Sequence, residues 1–339
     1  MDRPAEDPRR GALAHWLAGI ATGTRNLRPA SGDASFRRYF RLDTDAGPRI
    51  AMDAPPAQEP LAPFLDISVR LAAANVRVPK IYAADPALGF ALLDDLGDVH
   101  YLDVLDTHSA DVLYGDALDT LIRIQSAPTD GLPDYDRSLL AREMGLFPDW
   151  LLDRHLGLTL NREQRARLDA VCETLIANAL TQPQVFVHRD YHARNLMRIA
   201  DGNPGVLDYQ DAVCGPITYD LASLLRDAYV TWPEVRVHRW ALSYRDRAVA
   251  AKICGPVDDA RFLRWFDLMG LQRQLKVLGI FARLCHRDGK PGYLGDLPRV
   301  LAYVETVAPR HAESMPLATL IEDLALRTRL EEARQTCAP

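Results

Sequence analysis

Apolar residues recur along this chain with two different periods. Up to about Asp98 the runs are short and strand-like: Tyr39 to Leu42, Arg49 to Met52, Lys80 to Ala83 and Gly89 to Leu93. One helical insert, Glu59 to Ala74, interrupts them and ends at Asn75, ahead of a strand entry at Pro79. Beyond Tyr101 the helical period takes over. Asn161-Arg162-Glu163-Gln164 has the form of a capping box, and Leu168, Val171, Cys172, Leu175, Ile176 and Ala179 follow at helical spacing. Asp258 to His286 is a second long helical pattern, and its Trp265, Phe266, Leu275 and Phe281 predict a core helix rather than a cofactor box. The pattern predicts an α+β chain, with a small β-rich lobe over residues 1–98 and a larger, mainly helical lobe over residues 99–339.

The chemistry concentrates between two apolar runs of the second lobe. Val185, Phe186 and Val187 form a strand entry, and the polar His188-Arg189-Asp190-Tyr191-His192-Ala193-Arg194-Asn195 then has the makings of a loop facing a site. Asn195 to Ile199 and Gly205 to Leu207 flank the turn residues Asp201, Gly202, Asn203 and Pro204, which predicts a hairpin. Pairing Met197 with Val206 puts Asn195 opposite Asp208, with their side chains roughly 5 Å apart. An amide and a carboxylate oxygen there suit a hard divalent ion such as Mg²⁺, completed by phosphate oxygens and water.

Asp190 lies five residues before Asn195, the spacing of the kinase loop H-R-D-x-x-x-x-N, in which the Asp is the base and the Asn and a later Asp hold the metals. The later Asp here stands in Asp208-Tyr209-Gln210 rather than D-F-G. With His192 inside the loop and Gly215 to Leu225 after it, the segment resembles the aminoglycoside phosphotransferase and choline-kinase-like family, whose loop reads H-x-D-x-H-x-x-N. Ser31 to Arg41, Met52 to Pro56, Leu92 to Asp98 and Leu207 to Asp227 are similar to the bacterial amino-sugar kinases of cell-wall recycling. Those enzymes phosphorylate N-acetylmuramate and N-acetylglucosamine at the anomeric hydroxyl. The resemblance implies a two-lobed protein-kinase-like fold, ATP and Mg²⁺ as cofactors, and a small amino sugar as acceptor. An aminoglycoside, choline or homoserine kinase is the neighbouring alternative, and a nucleotide-binding pseudokinase the more distant one. A pseudokinase would more naturally have lost Asp190, Asn195 or Asp208.

Position within that family assigns further roles. Ser31, Gly32, Asp33, Ala34 and Ser35 fall where the phosphate loop is expected, ahead of the first strand, and small residues there would let backbone amides form an anion nest; a short polar turn is the alternative. Asp94, Asp95 and Leu96 belong to the expected hinge against adenine, or to a solvated turn. Asp53 ends the run Ile50-Ala51-Met52-Asp53, where protein kinases carry the strand lysine. Phosphate charge must then come from elsewhere, and Arg37, Arg38 and Arg41 are the nearby candidates. Glu143, Arg194 and Asp211 are expected at the substrate, although Glu143 is equally readable as part of the packing. His188, His192 and Asp220 are expected to brace the loop, since magnesium chemistry favours oxygen over imidazole.

Composition adds limits. At 339 residues the chain has material for two lobes. A net charge of −6 with no basic, aromatic-interleaved stripe argues against nucleic acid. The five cysteines are scattered, without metal-ligand spacing, and read as reduced thiols. The first 23 residues mix acids and arginines and lack a long apolar core, so neither a signal peptide nor a membrane span is expected. The expectation is a cytoplasmic monomer.

Overall fold

The computed structural model describes residues 7–31 and 36–336. In chain order the first elements are α1 (Pro8–Ile20), β1 (Arg25–Ser31), β2 (Arg38–Thr44), β3 (Gly47–Asp53), α2 (Leu61–Ala73), β4 (Ile81–Asp85) and β5 (Phe90–Asp94). Then come α3 (Tyr101–Val104), α4 (Ala110–Gln125), α5 (Arg137–Leu146), a π-helical stretch (Phe147–His155), α6 (Arg162–Leu180), β6 (Gln184–Val187), β7 (Leu196–Met197), β8 (Gly205–Val206) and β9 (Val213–Pro216). The chain closes with α7 (Tyr219–Leu225), α8 (Glu234–Ala250), α9 (Asp259–Asp288), α10 (Leu297–Val307), α11 (Met315–Asp323) and α12 (Leu326–Thr336). They pack as two compact units. One comprises the described residues of Met1–His100 with Leu196–Asp211, the other those of Tyr101–Asn195 with Ala212–Pro339.

The first unit is built on an antiparallel sheet of order β1-β2-β3-β5-β4. Period-two alternation buries Phe40 and Leu42 of β2 and Leu92 of β5 against Leu13 and Leu17 of α1, so this helix covers one sheet face. The turn before β5 requires Gly89: its φ is +73°, and a Cβ there would come within 1.9 Å of the Ala54 carbonyl oxygen. The helix expected over Glu59 to Ala74 is α2, which buries Leu61, Phe64, Ile67 and Leu71 and stacks Phe64 on Tyr209 with ring centroids 5.0 Å apart.

Two elements of this unit escaped the sequence pattern. α1 offers the core only Leu13 and Leu17, and β1 is a polar edge strand carrying Pro29, which an edge tolerates because one side of the strand needs no ladder partner. Ser31 therefore ends β1, and the expected phosphate loop precedes the second strand rather than the first. Gly32, Asp33, Ala34 and Ser35 lie outside the described residues, as does the Ser31 side chain. The hairpin at 196–206 forms, but its register is Leu196 with Val206 and Met197 with Gly205, one residue from the Met197–Val206 pairing expected. The Val206 amide bonds to the Arg77 carbonyl at 2.7 Å, so β8 is anchored on its outer side by a contact that turn residues do not encode.

The second unit is organised around α9. Asp258 caps it by accepting the Arg261 amide at 2.9 Å, and Gly289, at φ +66°, ends it in the left-handed conformation. Gly279 lets the helix approach α5 closely, since a Cβ there would lie 2.3 Å from the Leu146 carbonyl carbon. The capping box forms as expected, with Asn161 and Gln164 exchanging bonds at 2.9 and 3.0 Å. β6 pairs antiparallel with β9, and the loop that follows β6 carries the candidate chemistry. No helix among the described residues is long and apolar enough to cross a membrane.

Candidate active site

The loop after β6 is held by hydrogen bonds from its own unit. Asp220, buried at the start of α7, accepts the amides of His188 at 2.7 Å and Arg189 at 2.9 Å. Arg189 takes φ +77°, a strained value for a side-chain-bearing residue, and the second of these bonds fixes it there. Asp227 accepts the Ala193 amide at 2.8 Å, and the Tyr191 hydroxyl reaches the Ala117 carbonyl at 2.8 Å. Within the loop, His188 Nδ1 faces the Asp190 amide at 3.3 Å. Asn195 donates Nδ2 to the Asp190 carbonyl at 2.9 Å.

Asp190 itself is half-buried. Burial raises its pKa, but Lys276, His192, Arg189 and Arg273 outweigh burial, and the carboxyl is held below its usual range. It is therefore ionised at neutral pH, the state a proton acceptor needs. Asp220 goes the other way: burial, assisted by Asp190, pushes it up to about 7 despite its two amide bonds. His192 lies edge-on to Tyr229 with centroids 5.5 Å apart, and burial lowers its pKa, favouring neutral imidazole.

Behind the loop lies a buried ionic cluster. Glu143 of α5 pairs with Arg189 and with Lys276 of α9, the latter at 3.1 Å, and accepts the Tyr135 hydroxyl. Lys276 also donates to the Tyr219 oxygen at 2.8 Å. Arg194 is exposed, with its guanidinium 3.6 Å over the Tyr229 ring, and Asp211 is exposed.

In the first unit, each remaining charged candidate among the described residues has a described partner. Arg37 pairs with Glu59 at 2.6 Å, Asp94 with Arg77 at 2.6 Å, and Asp95 with Arg41 at 2.7 Å. Arg38 joins Asp53, which is fully buried and also held by Arg9 at 2.5 Å. Leu96 is buried. The residue standing where a strand lysine was expected is thus an acid neutralised by two arginines. Asp208 has φ +61° and accepts from Gln210 Nε2 at 2.8 Å.

Tyr135, Tyr219, Asp227, Arg273 and Lys276 were not anticipated. The available signal was Gln272-Arg273-Gln274-Leu275-Lys276, a polar interruption of an otherwise apolar helix. α9 is the core helix expected, yet it buries these polar groups as well.

The phosphotransferase enzyme family matches residues 26–266 of this chain. The chain belongs to that family. Among phosphotransferases, two similar relatives carry the name N-acetylmuramate/N-acetylglucosamine kinase. That of Pseudomonas aeruginosa is 53% identical over 299 residues, covering 88% of each chain. That of Pseudomonas putida is 51% identical over 305 residues, covering 90% of each. The phosphotransferase fold is also that of an ADP-bound aminoglycoside phosphotransferase, at a TM-score of 0.57 and 14% identity over 88% of this chain and 97% of that one. A choline kinase from Streptococcus pneumoniae superposes at 0.59 with 12% identity over 88% and 99%.

Proposed function

We propose that this protein is an ATP-dependent kinase that phosphorylates N-acetylmuramate and N-acetylglucosamine on the anomeric hydroxyl, yielding sugar 1-phosphates for cell-wall recycling. The observation that carries the reading is identity above 50% with N-acetylmuramate/N-acetylglucosamine kinases over about nine-tenths of the chain. The loop His188 to Asn195 is whole and its base is ionised.

Asp190 accepts the proton of the acceptor hydroxyl and orients it for in-line attack on the γ-phosphoryl group. An anomeric hydroxyl is more acidic than an ordinary alcohol, which eases that transfer. The backbone of the loop stays fixed through Asp220 and Asp227, so positioning costs no reorganisation at the moment of reaction. Arg194 steadies the transferring phosphoryl group. Asn195 and Asp208 offer an amide and a carboxylate oxygen, a donor set that fits Mg²⁺ better than a softer metal. A cation held by these two residues would draw its other ligands from phosphate and water. When bound, Mg²⁺ neutralises the phosphate oxygens that gather charge. The reaction belongs in the cytoplasm, where ATP is. We take the protein to act as a monomer.

ADP release from Mg-ATP, measured against N-acetylmuramate, N-acetylglucosamine, glucosamine, kanamycin and choline, tests the proposal. Turnover with the two N-acetylated sugars alone supports it; turnover only with kanamycin or choline overturns the acceptor assignment.

A further inference from the structure

A buried guanidinium stays charged, and leaving it unpaired is costly. Four basic side chains among the described residues are buried: Arg37, Arg226, Arg273 and Lys276. Three have carboxylate partners, Arg37 with Glu59 at 2.6 Å, Arg226 with Asp267 at 2.6 Å and Lys276 with Glu143 at 3.1 Å. Arg273 is the exception. It is 4% exposed, no described carboxylate lies within ion-pairing distance, and its Nε is sealed from solvent without an acceptor.

Its place on α9 points to what it awaits. Arg273 lies one helical turn before Lys276 and so shares its face. Lys276 reaches Tyr219 and Glu143, the acid that holds Arg189 next to Asp190. The positive charge of Arg273 is felt at Asp190, His192 and Tyr229, and Tyr229 is the ring on which Arg194 lies. The orphaned cation thus belongs to the unit that carries the base. The residues expected to touch nucleotide, Ser31 to Ser35 and Asp94 to Leu96, fall in the first unit's part of the chain.

We propose that Arg273 is the subsite for a carboxylate on the acceptor, completing its fork with the lactyl group of N-acetylmuramate. The proposal rests on the function given above. N-acetylglucosamine lacks that carboxylate, so Arg273 contributes to the choice between the two sugars. The ionised Asp190, beyond ion-pairing distance, offsets part of the cost of the buried guanidinium when the neutral sugar is bound.

Two measurements test this. In the unmodified enzyme, the primary amide of N-acetylmuramate, equal in shape but uncharged, should show a KM roughly 10- to 100-fold above that of the acid, the worth of a charged hydrogen-bonded contact. In Arg273→Gln, the ratio of kcat/KM for N-acetylmuramate to that for N-acetylglucosamine should fall by a similar factor, and Arg273→Lys should restore part of it. The ratio discounts any loss common to both sugars from removing a charge near Asp190. Acid and amide handled within about threefold of one another, or an unchanged ratio in Arg273→Gln, would overturn the subsite alone. Absence of turnover with either sugar in the unmodified enzyme would overturn the function and the subsite together.

Discussion

The carboxylate of Asp220 accepts the backbone amide of His188 at 2.7 Å, although the two residues stand 32 positions apart. Its other oxygen takes the amide of Arg189, so both acceptors are in use. Asp220→Asn would turn a donor toward one of these amides. The expected result is a loss of about 1–3 kcal/mol of stability and a fall in kcat with little change in ATP affinity, read by urea unfolding and steady-state kinetics.

The same residue sets a pH dependence. Burial raises Asp220 to about 7 from an ordinary 3.8, so between those values the folded state binds the proton that the unfolded state has released. Its contribution is therefore fully present below about pH 4 and is lost as pH rises through 7. The stability difference between the unmodified protein and Asp220→Asn should shrink steadily over that window, and a flat difference would count against the raised carboxyl.

Glu143 neutralises the buried Lys276 and the half-buried Arg189 at once, and its removal should tell. Glu143→Leu strands Arg189 and Lys276 and should cost about 3–5 kcal/mol in urea unfolding. Lys276→Met should cost less, because Glu143 keeps Arg189 and Tyr135.

Asp53 offers a counter-intuitive test. Asp53→Lys would install the strand lysine of protein kinases, but it would place a third positive charge against Arg9 and Arg38. Destabilisation of about 3–5 kcal/mol and lower activity are expected, measured by thermal unfolding and ADP release. A gain in activity would show that the local charge arrangement has been misjudged.

The sequence made some of this legible and hid the rest for identifiable reasons. Phosphoryl transfer demands particular residue types at fixed spacing, so Asp190 and Asn195 stood out before any fold was known. The capping box at Asn161 was equally readable, because both of its bonds are local. β1 was not, since an edge strand with Pro29 and two arginines lacks apolar alternation. The hairpin register slipped by one because the Arg77 carbonyl that anchors Val206 is remote in sequence. Arg273 and Lys276 looked like interruptions of a core helix, and only their burial, with Lys276 paired to Glu143, separates them from surface charges.

The most direct measurement compares Asp190→Ala with the unmodified protein for both turnover and Mg-ATP binding, by ADP release and by calorimetry. With Asp190 as the base, kcat should fall by a factor on the order of 10³ or more while the nucleotide dissociation constant moves by less than about threefold. A loss of nucleotide affinity as large as the loss of rate would contradict it, for Asp190 would then hold the nucleotide rather than the acceptor's proton.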